Sequence, residues 1–187
     1  MYVFNLMKEH KLIIITLIKF FGVYLVLVFL YGRYLHYYQD VLQTCDPYTA
    51  HVAQQSAKIL NWFGFDFEAV HYLQRNYVNL IIDGRGITYI NEGCNALSVN
   101  ILFLSFIIAF SKGFKRTFLY IFVSLIILYL ANLARIAFIN YVFYAHYQYG
   151  KIVHDYLFPA VIWGLVVFLW LVWIKFFALR KKSNENT

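Results

Sequence analysis

The sequence predicts an all-α integral membrane protein with about four transmembrane helices and one large outward loop. Of its 187 residues, 62% are hydrophobic, 21% are aromatic and only 13% are charged, whereas soluble domains average about 25% charged residues. Several apolar runs approach the roughly 20 residues that a helix needs to cross a bilayer core of about 30 Å. Basic residues flank these runs, so we attribute the net charge of +7 to membrane orientation and expect no nucleic-acid partner.

Four apolar runs are the predicted spans, and the lipid bilayer is their expected partner. They cover residues 12–31, 96–111, 117–144 and 156–179. The third run contains Asn132, Arg135 and Asn140, so it either continues outward as an extended helix or is broken and folds back. The first run is too long for the apolar part of a secretory signal and has no small-residue cleavage pattern, so we expect a retained span. The whole chain, residues 1–187, is then a single membrane domain.

The long segment between the first two spans, residues 32–95, is expected to form structure of its own. Residues 48–63 place apolar side chains at helical spacing among polar ones, which predicts a short amphipathic helix that could lie on the membrane surface. Asp83 and Gly84 separate two β-prone runs, which predicts a small β-hairpin because tight turns need residues that tolerate positive φ. The hairpin delivers the chain to Cys94 at the head of the second span.

Basic residues near the spans predict the orientation, because Lys and Arg concentrate in short cytoplasmic loops. One side carries Lys8, Lys11, Lys112, Lys115, Arg116, Arg180, Lys181 and Lys182. On the other side, basic residues are spread through a long loop and are mixed with acidic ones. We therefore expect both termini in the cytoplasm, with residues 32–95 and 145–155 facing outward.

This topology brings three reactive side chains to the outer membrane boundary. Cys94 lies at the head of the second span, Arg135 near the outward end of the third, and His154 just before the fourth. From Phe118 to Arg135 a helix extends about 27 Å, nearly the full hydrocarbon core. A charge within a span costs several kcal/mol and usually faces a bundle interior or a partner. Arg135 is therefore the strongest single signal in the chain.

The three residue types suit thiol-based acyl transfer. A thiol attacks a peptide carbonyl as the thiolate, a form that Arg135 and protonated His154 would favour. Arg135 would also stabilise the tetrahedral oxyanion, and His154 would protonate the leaving amine and deprotonate the incoming nucleophile. The product is a thioester acyl-enzyme on Cys94, resolved by an amine or by water. Glu92, which could pair with Arg135 or orient His154, and Asn132, one turn before Arg135, are supporting candidates.

These residues resemble the exosortase/archaeosortase family. The resemblance rests on Cys94 before an apolar helix, on Asn132-Leu-Ala-Arg135-Ile136 in the next span and on His154 at the start of the last one, within roughly residues 91–163. One large outward loop before the cysteine looks most like the short exosortase F type. Many members have Cys-Ser-Gly where this chain has Cys94-Asn95-Ala96.

The resemblance implies a membrane-embedded cysteine protease or transpeptidase in the bacterial inner membrane, with its active site facing the periplasm or exterior. Its substrates would be tail-anchored exported proteins whose C-terminal sorting signal combines a short motif, an apolar span and a basic tail. Cleavage would transfer them to a surface acceptor such as a glycan or a lipid. The family's invariant Cys, Arg and His match Cys94, Arg135 and His154, and we expect no cofactor and no metal.

Three other classes of function stay open: a structural scaffold, a metal-binding protein and a transporter. Cys45 and Cys94 both face outward, where a disulfide could tie the loop to the second span. The protein would then be a scaffold or assembly subunit without a free nucleophile. A metal site built from His154, His146, Cys94 and Glu92 matches no compact ligand spacing. A transporter has little support, because the chain has one buried charge and no pair of broken helices.

Overall fold

The computed structural model describes residues 2–72, 74–111 and 113–178. These residues form mainly helices, which are α1 (Tyr2–His36), α2 (Pro47–Trp62), α3 (Leu97–Ala109), α4 (Phe114–Ala145), α5 (Tyr147–Ile152) and α6 (Phe158–Trp173). Between α2 and α3 lie the strands β1 (Glu68–His71), β2 (Val78–Ile82) and β3 (Arg85–Ile90). Short π-helical turns follow α1 (Tyr37–Val41), precede α6 (Val153–Leu157) and follow α6 (Ile174–Ala178).

Within the described ranges, three helical stretches are long and apolar enough to cross a membrane. They are Ile13–Val41, Phe114–Ala145 and Tyr147–Phe176. This confirms the predicted class of a mainly helical membrane protein. The remaining predicted span corresponds to α3, which is apolar but has only 13 residues and extends about 20 Å. A fourth span is therefore not shown.

The helices do not end where the predicted spans end. The first helix does not stop at residue 31, because α1 and its π turn continue to Val41. Residues 145–155 are not a loop either, since α5 and the π turn before α6 follow His146 almost at once. Neither segment contains a proline that would end a helix. The third predicted span is one unbroken helix, α4, which extends ten residues beyond Arg135.

The amphipathic helix predicted for residues 48–63 is confirmed as α2. Asp46 caps it by accepting a hydrogen bond from the Thr49 N–H at 3.0 Å, and Pro47 takes the first position, where a missing N–H costs nothing. Its buried face consists of Thr49, Val52, Ala53, Ser56, Ala57 and Leu60. This face packs on α4 and the sheet, so the apolar stripe is directed into the protein and not into the bilayer.

The predicted hairpin is present as β2 and β3. They are joined by Asp83 (φ 52°) and Gly84 (φ 70°), as expected for a two-residue turn that requires positive φ at both positions. The sequence did not reveal β1, which pairs with β2 and makes a three-stranded antiparallel sheet of order β1-β2-β3. β3 is therefore an edge strand, and its chain continues through a 3-10 turn at Glu92–Cys94 into α3.

Two hydrophobic cores hold these elements together. The first contains the inner face of β2, the apolar face of α2 and residues Leu133, Ile136 and Ala137 of α4. The second joins α3, α4 and α6 through Phe103, Ile107, Leu128, Val166, Leu169 and Trp173. The residues considered below lie beside the first core. Lys112 and residues 180–182, which contributed to the predicted orientation, lie outside the described residues, so that orientation stays a prediction.

Candidate active site

A cleft of about 530 Å³ lies between β3, the second half of α4 and the turn before α6. Cys94, Arg135 and His154 all line it. Arg135 follows Cys94 by 41 positions in the sequence, His154 follows Arg135 by 19, and the three residues come from three separate segments. The cleft is otherwise lined by residues 87–91 and by Gly93, Ile136, Ile139, Phe143 and Tyr147. The structure thus brings together the three side chains that the sequence placed at one level.

Cys94 ends the 3-10 turn and is held through its backbone. Its N–H donates to the Asn91 carbonyl oxygen at 2.9 Å. Its own carbonyl oxygen accepts a hydrogen bond from Asn132 Nδ2 at 3.0 Å. The side chain is partly buried beside the first core. Both backbone groups of Cys94 are therefore fixed while its thiol borders the cleft.

Asn95 anchors the segment that follows the cysteine. Its side chain is only 1% exposed. Asn95 Nδ2 donates to Thr49 Oγ1 at 2.8 Å and to the Tyr31 hydroxyl at 3.4 Å. Asn95 Oδ1 accepts from the Leu97 N–H at 2.8 Å, which satisfies a free donor at the start of α3. One side chain thus joins the head of α3 to α1 and α2.

Ala96 adopts a left-handed backbone conformation, with φ 62° and ψ 9°. Residues with a Cβ atom are disfavoured there by roughly 1–2 kcal/mol, whereas glycine adopts it freely. The glycine of a Cys-Ser-Gly run, which would stand at the position of Ala96, adopts this backbone without strain. The alanine of this chain keeps the same turn at an energetic cost.

Arg135 is partly buried and has little to neutralise it. Arg135 Nη1 donates to Asn132 Oδ1 at 3.3 Å. Its buried Nε has no hydrogen-bond partner, and no carboxylate of the described residues lies within 4.0 Å of it. A thiolate at Cys94 would attract the guanidinium electrostatically. Among the described residues, no carboxylate therefore neutralises the charge of Arg135 beside the cysteine.

His154 forms a pair with the residue that follows it. Nδ1 of His154 lies 2.8 Å from Asp155 Oδ1, and both side chains are about half exposed, at 50% and 41%. On a regular helix two neighbouring side chains diverge by about 100°, yet these two are in contact. Both residues lie in the π turn Val153–Leu157. Binding at Nδ1 leaves Nε2 for the cleft.

Glu92 makes neither of the contacts that we considered for it within the described residues. It is absent from the cleft lining and forms an ion pair with neither Arg135 nor His154 within the described part of the chain. Its Oε2 is buried without a hydrogen-bond partner, and its charge acts on Cys45 and Tyr31. Glu92 is thus a neighbour of the cysteine in sequence that does not line the cleft.

Both cysteines are free thiols. Cys45 is buried, and its Sγ donates to the Asp46 carbonyl oxygen at 3.6 Å. Burial, with smaller effects from the charges of Asp46 and Glu92, raises the pKa of the Cys45 thiol to about 12. The Cys45–Cys94 disulfide that the scaffold interpretation requires is not formed, and Cys94 is the thiol that reaches the cleft.

Comparison with known families gives one match, which covers most of the chain. Residues 12–177 match the family model of transmembrane exosortases (Exosortase_EpsH). The chain belongs to the transmembrane exosortase family. No curated protein and no solved structure matches it. As an exosortase it is a multi-pass membrane protein with a protein-sorting role, and its family implies a cysteine peptidase or transpeptidase and exported substrates with C-terminal sorting signals. The assignment to the short F type stays a prediction.

Proposed function

We propose that this exosortase cleaves the C-terminal sorting signal of exported proteins through a thioester on Cys94 and transfers them to a surface acceptor. The observation that supports this most strongly is the single cleft lined by Cys94, Arg135 and His154. A membrane helix that carries an arginine without a carboxylate partner needs an explanation. A nearby thiolate, and later an oxyanion, supplies one.

The first half of the reaction forms the acyl-enzyme. The Cys94 thiolate attacks the scissile carbonyl carbon, and the carbonyl electron pair moves to oxygen. Arg135, which lines the cleft, stabilises this oxyanion through its guanidinium charge and N–H groups. When the C–N bond breaks, His154 in its imidazolium form gives a proton to the departing amine. The sorting signal leaves, and the exported protein remains on Cys94 as a thioester.

The second half releases the product. Neutral His154 takes a proton from the incoming nucleophile, which attacks the thioester carbonyl. The C–S bond breaks, and its electron pair returns to sulfur, so the thiolate and the imidazolium are both restored. Asp155 holds Nδ1 of His154 and so keeps Nε2 directed to the reacting groups. A surface glycan or lipid as nucleophile gives transfer, and water gives proteolysis.

The proposed location is the inner membrane, with both termini in the cytoplasm and the cleft facing the periplasm or exterior. The support is the excess of Lys and Arg on one side of the spans. A cleft on the outward side meets an exported protein where its own span leaves the bilayer. The substrate's scissile bond would then lie at the same level as Cys94.

The direct test replaces each cysteine separately in the host organism. Cys94→Ala should stop processing of exported proteins that end in an apolar run and a basic tail, whereas Cys45→Ala should leave processing intact. Arg135→Ala and His154→Ala should also accumulate the precursor. Immunoblots of precursor and product report processing, and the amount of enzyme in the membrane fraction serves as the control for folding. Normal processing by Cys94→Ala would exclude the nucleophile.

A further inference from the structure

The cleft runs along the open edge of β3. Residues 87–91 all line it, one after another. Successive side chains of a strand point to opposite faces of its sheet, so a cleft over one face would contact every second residue. Contact with four consecutive strand residues, and with Asn91 just after them, indicates that the cleft follows the edge, where backbone N–H and C=O groups project.

That edge has no backbone partner. β3 is the last strand of the sheet and pairs only with β2. In the described part of the chain, no other segment forms a backbone hydrogen bond with residues 85–90. Proteins usually protect such edges with charged residues or proline, yet Ile87, Thr88, Tyr89 and Ile90 include neither. A bulge next to Ile81 locally disrupts the pairing with β2, a feature that often lies beside active sites.

The strand is also held firmly beside α4. Thr88 Oγ1 donates to Asn140 Oδ1 at 2.6 Å, and Asn140 in turn donates to the Ile136 carbonyl oxygen at 2.9 Å. Asn140 is fully buried. The facing wall of the cleft is apolar, with Ile139 and Phe143 of α4. The edge is thus a preformed template with one hydrogen-bonding side and one apolar wall.

We propose that the segment of the substrate just before its scissile bond binds in extended form as a fourth strand on β3. This rests on the proposed function, because it places the scissile bond at Cys94, four residues beyond the end of the strand. Backbone hydrogen bonds supply affinity in this mode, and side-chain pockets supply selectivity. Tyr89 and Phe143, which both line the cleft, border the added strand.

The direction of the added strand follows from the membrane. β3 leads through Cys94 into α3, whose apolar sequence continues away from the sheet. A substrate runs in the same order, from its exported body through the scissile bond into its own apolar span. With the bond at Cys94 and the span among the helices, the preceding residues lie beside β3 and run parallel to it.

Photo-crosslinking tests both the contact and its direction. A benzophenone amino acid replaces Ile87 or Tyr89, one at a time, in the Cys94→Ala protein expressed in its host. After irradiation, mass spectrometry identifies the crosslinked residue on the captured protein. Both positions should capture exported proteins just upstream of their C-terminal apolar run. The adduct from position 89 should lie about two residues nearer that run, since parallel strands advance in step. Glu68 and Val70, on the opposite edge strand β1, are the matched controls and should give several-fold less adduct.

The outcomes separate this proposal from the proposed function. If Cys94→Ala blocks processing but positions 87 and 89 give no more adduct than the β1 controls, the strand addition is wrong and the nucleophile stands. Adducts in reversed order along the substrate, or located within its apolar run, would also overturn the parallel arrangement. If Cys94→Ala processes substrates normally, the proposed function itself fails.

Discussion

Replacing Asn132 with leucine should reduce turnover without removing any group that we place in the chemistry. Asn132 is 1% exposed and links the two halves of the site. Its Nδ2 donates to the Cys94 carbonyl oxygen at 3.0 Å, and its Oδ1 accepts from Arg135 Nη1 at 3.3 Å. Leucine has a similar size and makes neither bond. The cysteine backbone and the guanidinium would then lose their common tether.

The magnitude follows from these two bonds. A hydrogen bond of this kind contributes roughly 1 kcal/mol net, so the loss amounts to ~2 kcal/mol. When that whole loss falls on the geometry of the transition state, at about 1.4 kcal/mol for each tenfold change, kcat/KM falls by up to about 30-fold. Asn132→Asp should be more damaging, because its carboxylate cannot donate to the Cys94 carbonyl oxygen and would neutralise Arg135.

The assay compares initial rates of precursor cleavage in membranes that contain equal amounts of each variant. Asn100→Leu is the matched control, because Asn100 is a buried asparagine on α3 whose Oδ1 makes no hydrogen bond. It should cleave at close to the wild-type rate. Wild-type activity in Asn132→Leu would contradict the claim that Asn132 holds Cys94 and Arg135 in place. An equal loss of activity in Asn100→Leu would contradict it too.

Three further outcomes are expected. At pH 8, iodoacetamide should modify Cys94 and spare Cys45. Burial raises the pKa of the Cys45 thiol to about 12, so this thiol stays protonated until strongly alkaline pH. Peptide mass spectrometry measures the alkylation of both cysteines. Gly150→Ala should reduce both stability and cleavage, because a Cβ at this position would collide with the side chain of Phe143 in the cleft wall. Gly164→Ala is its control and should change neither property, because a Cβ there meets nothing within 4 Å. Ala96→Gly should raise the free energy of unfolding by about 1 kcal/mol, because it relieves the left-handed backbone, as a thermal melt would show.

Each of these has a clear contrary result. Equal alkylation of both cysteines would mean that Cys45 is not enclosed as described. A Gly150→Ala protein as stable and active as Gly164→Ala would show that α5 does not depend on close approach to α4. A lower melting temperature for Ala96→Gly would contradict the backbone conformation beside Cys94.

The sequence predicted features that are decided locally. Asp83 and Gly84 predicted the turn between β2 and β3, because few residues tolerate positive φ. The apolar residues at helical spacing in α2 predicted an amphipathic helix. They could not show that this apolar face packs on α4 and not on lipid. Arg135 stood out because a charge in a span is expensive. Topology then placed it at the level of Cys94 and His154.

Features decided by tertiary packing were missed. Asn95 is buried because it meets Thr49, 46 residues earlier in the chain, and no local pattern encodes that contact. An asparagine just before a helix was the available signal, since Asn is common at such positions. The contact between Asp155 and His154 was also missed, because it lies in a π turn and no local sequence pattern indicates it. The four-residue β1 was too short and too polar to stand out.

The central claim is that Cys94 carries the exported protein as a thioester. It is tested most directly by rapid acid quenching of the wild-type enzyme during processing, followed by mass spectrometry of the peptide that contains Cys94. We predict a substrate fragment attached at Cys94, released by neutral hydroxylamine and absent from Cys94→Ala. Continued processing with no adduct at Cys94, or with the adduct on another residue, would contradict the account.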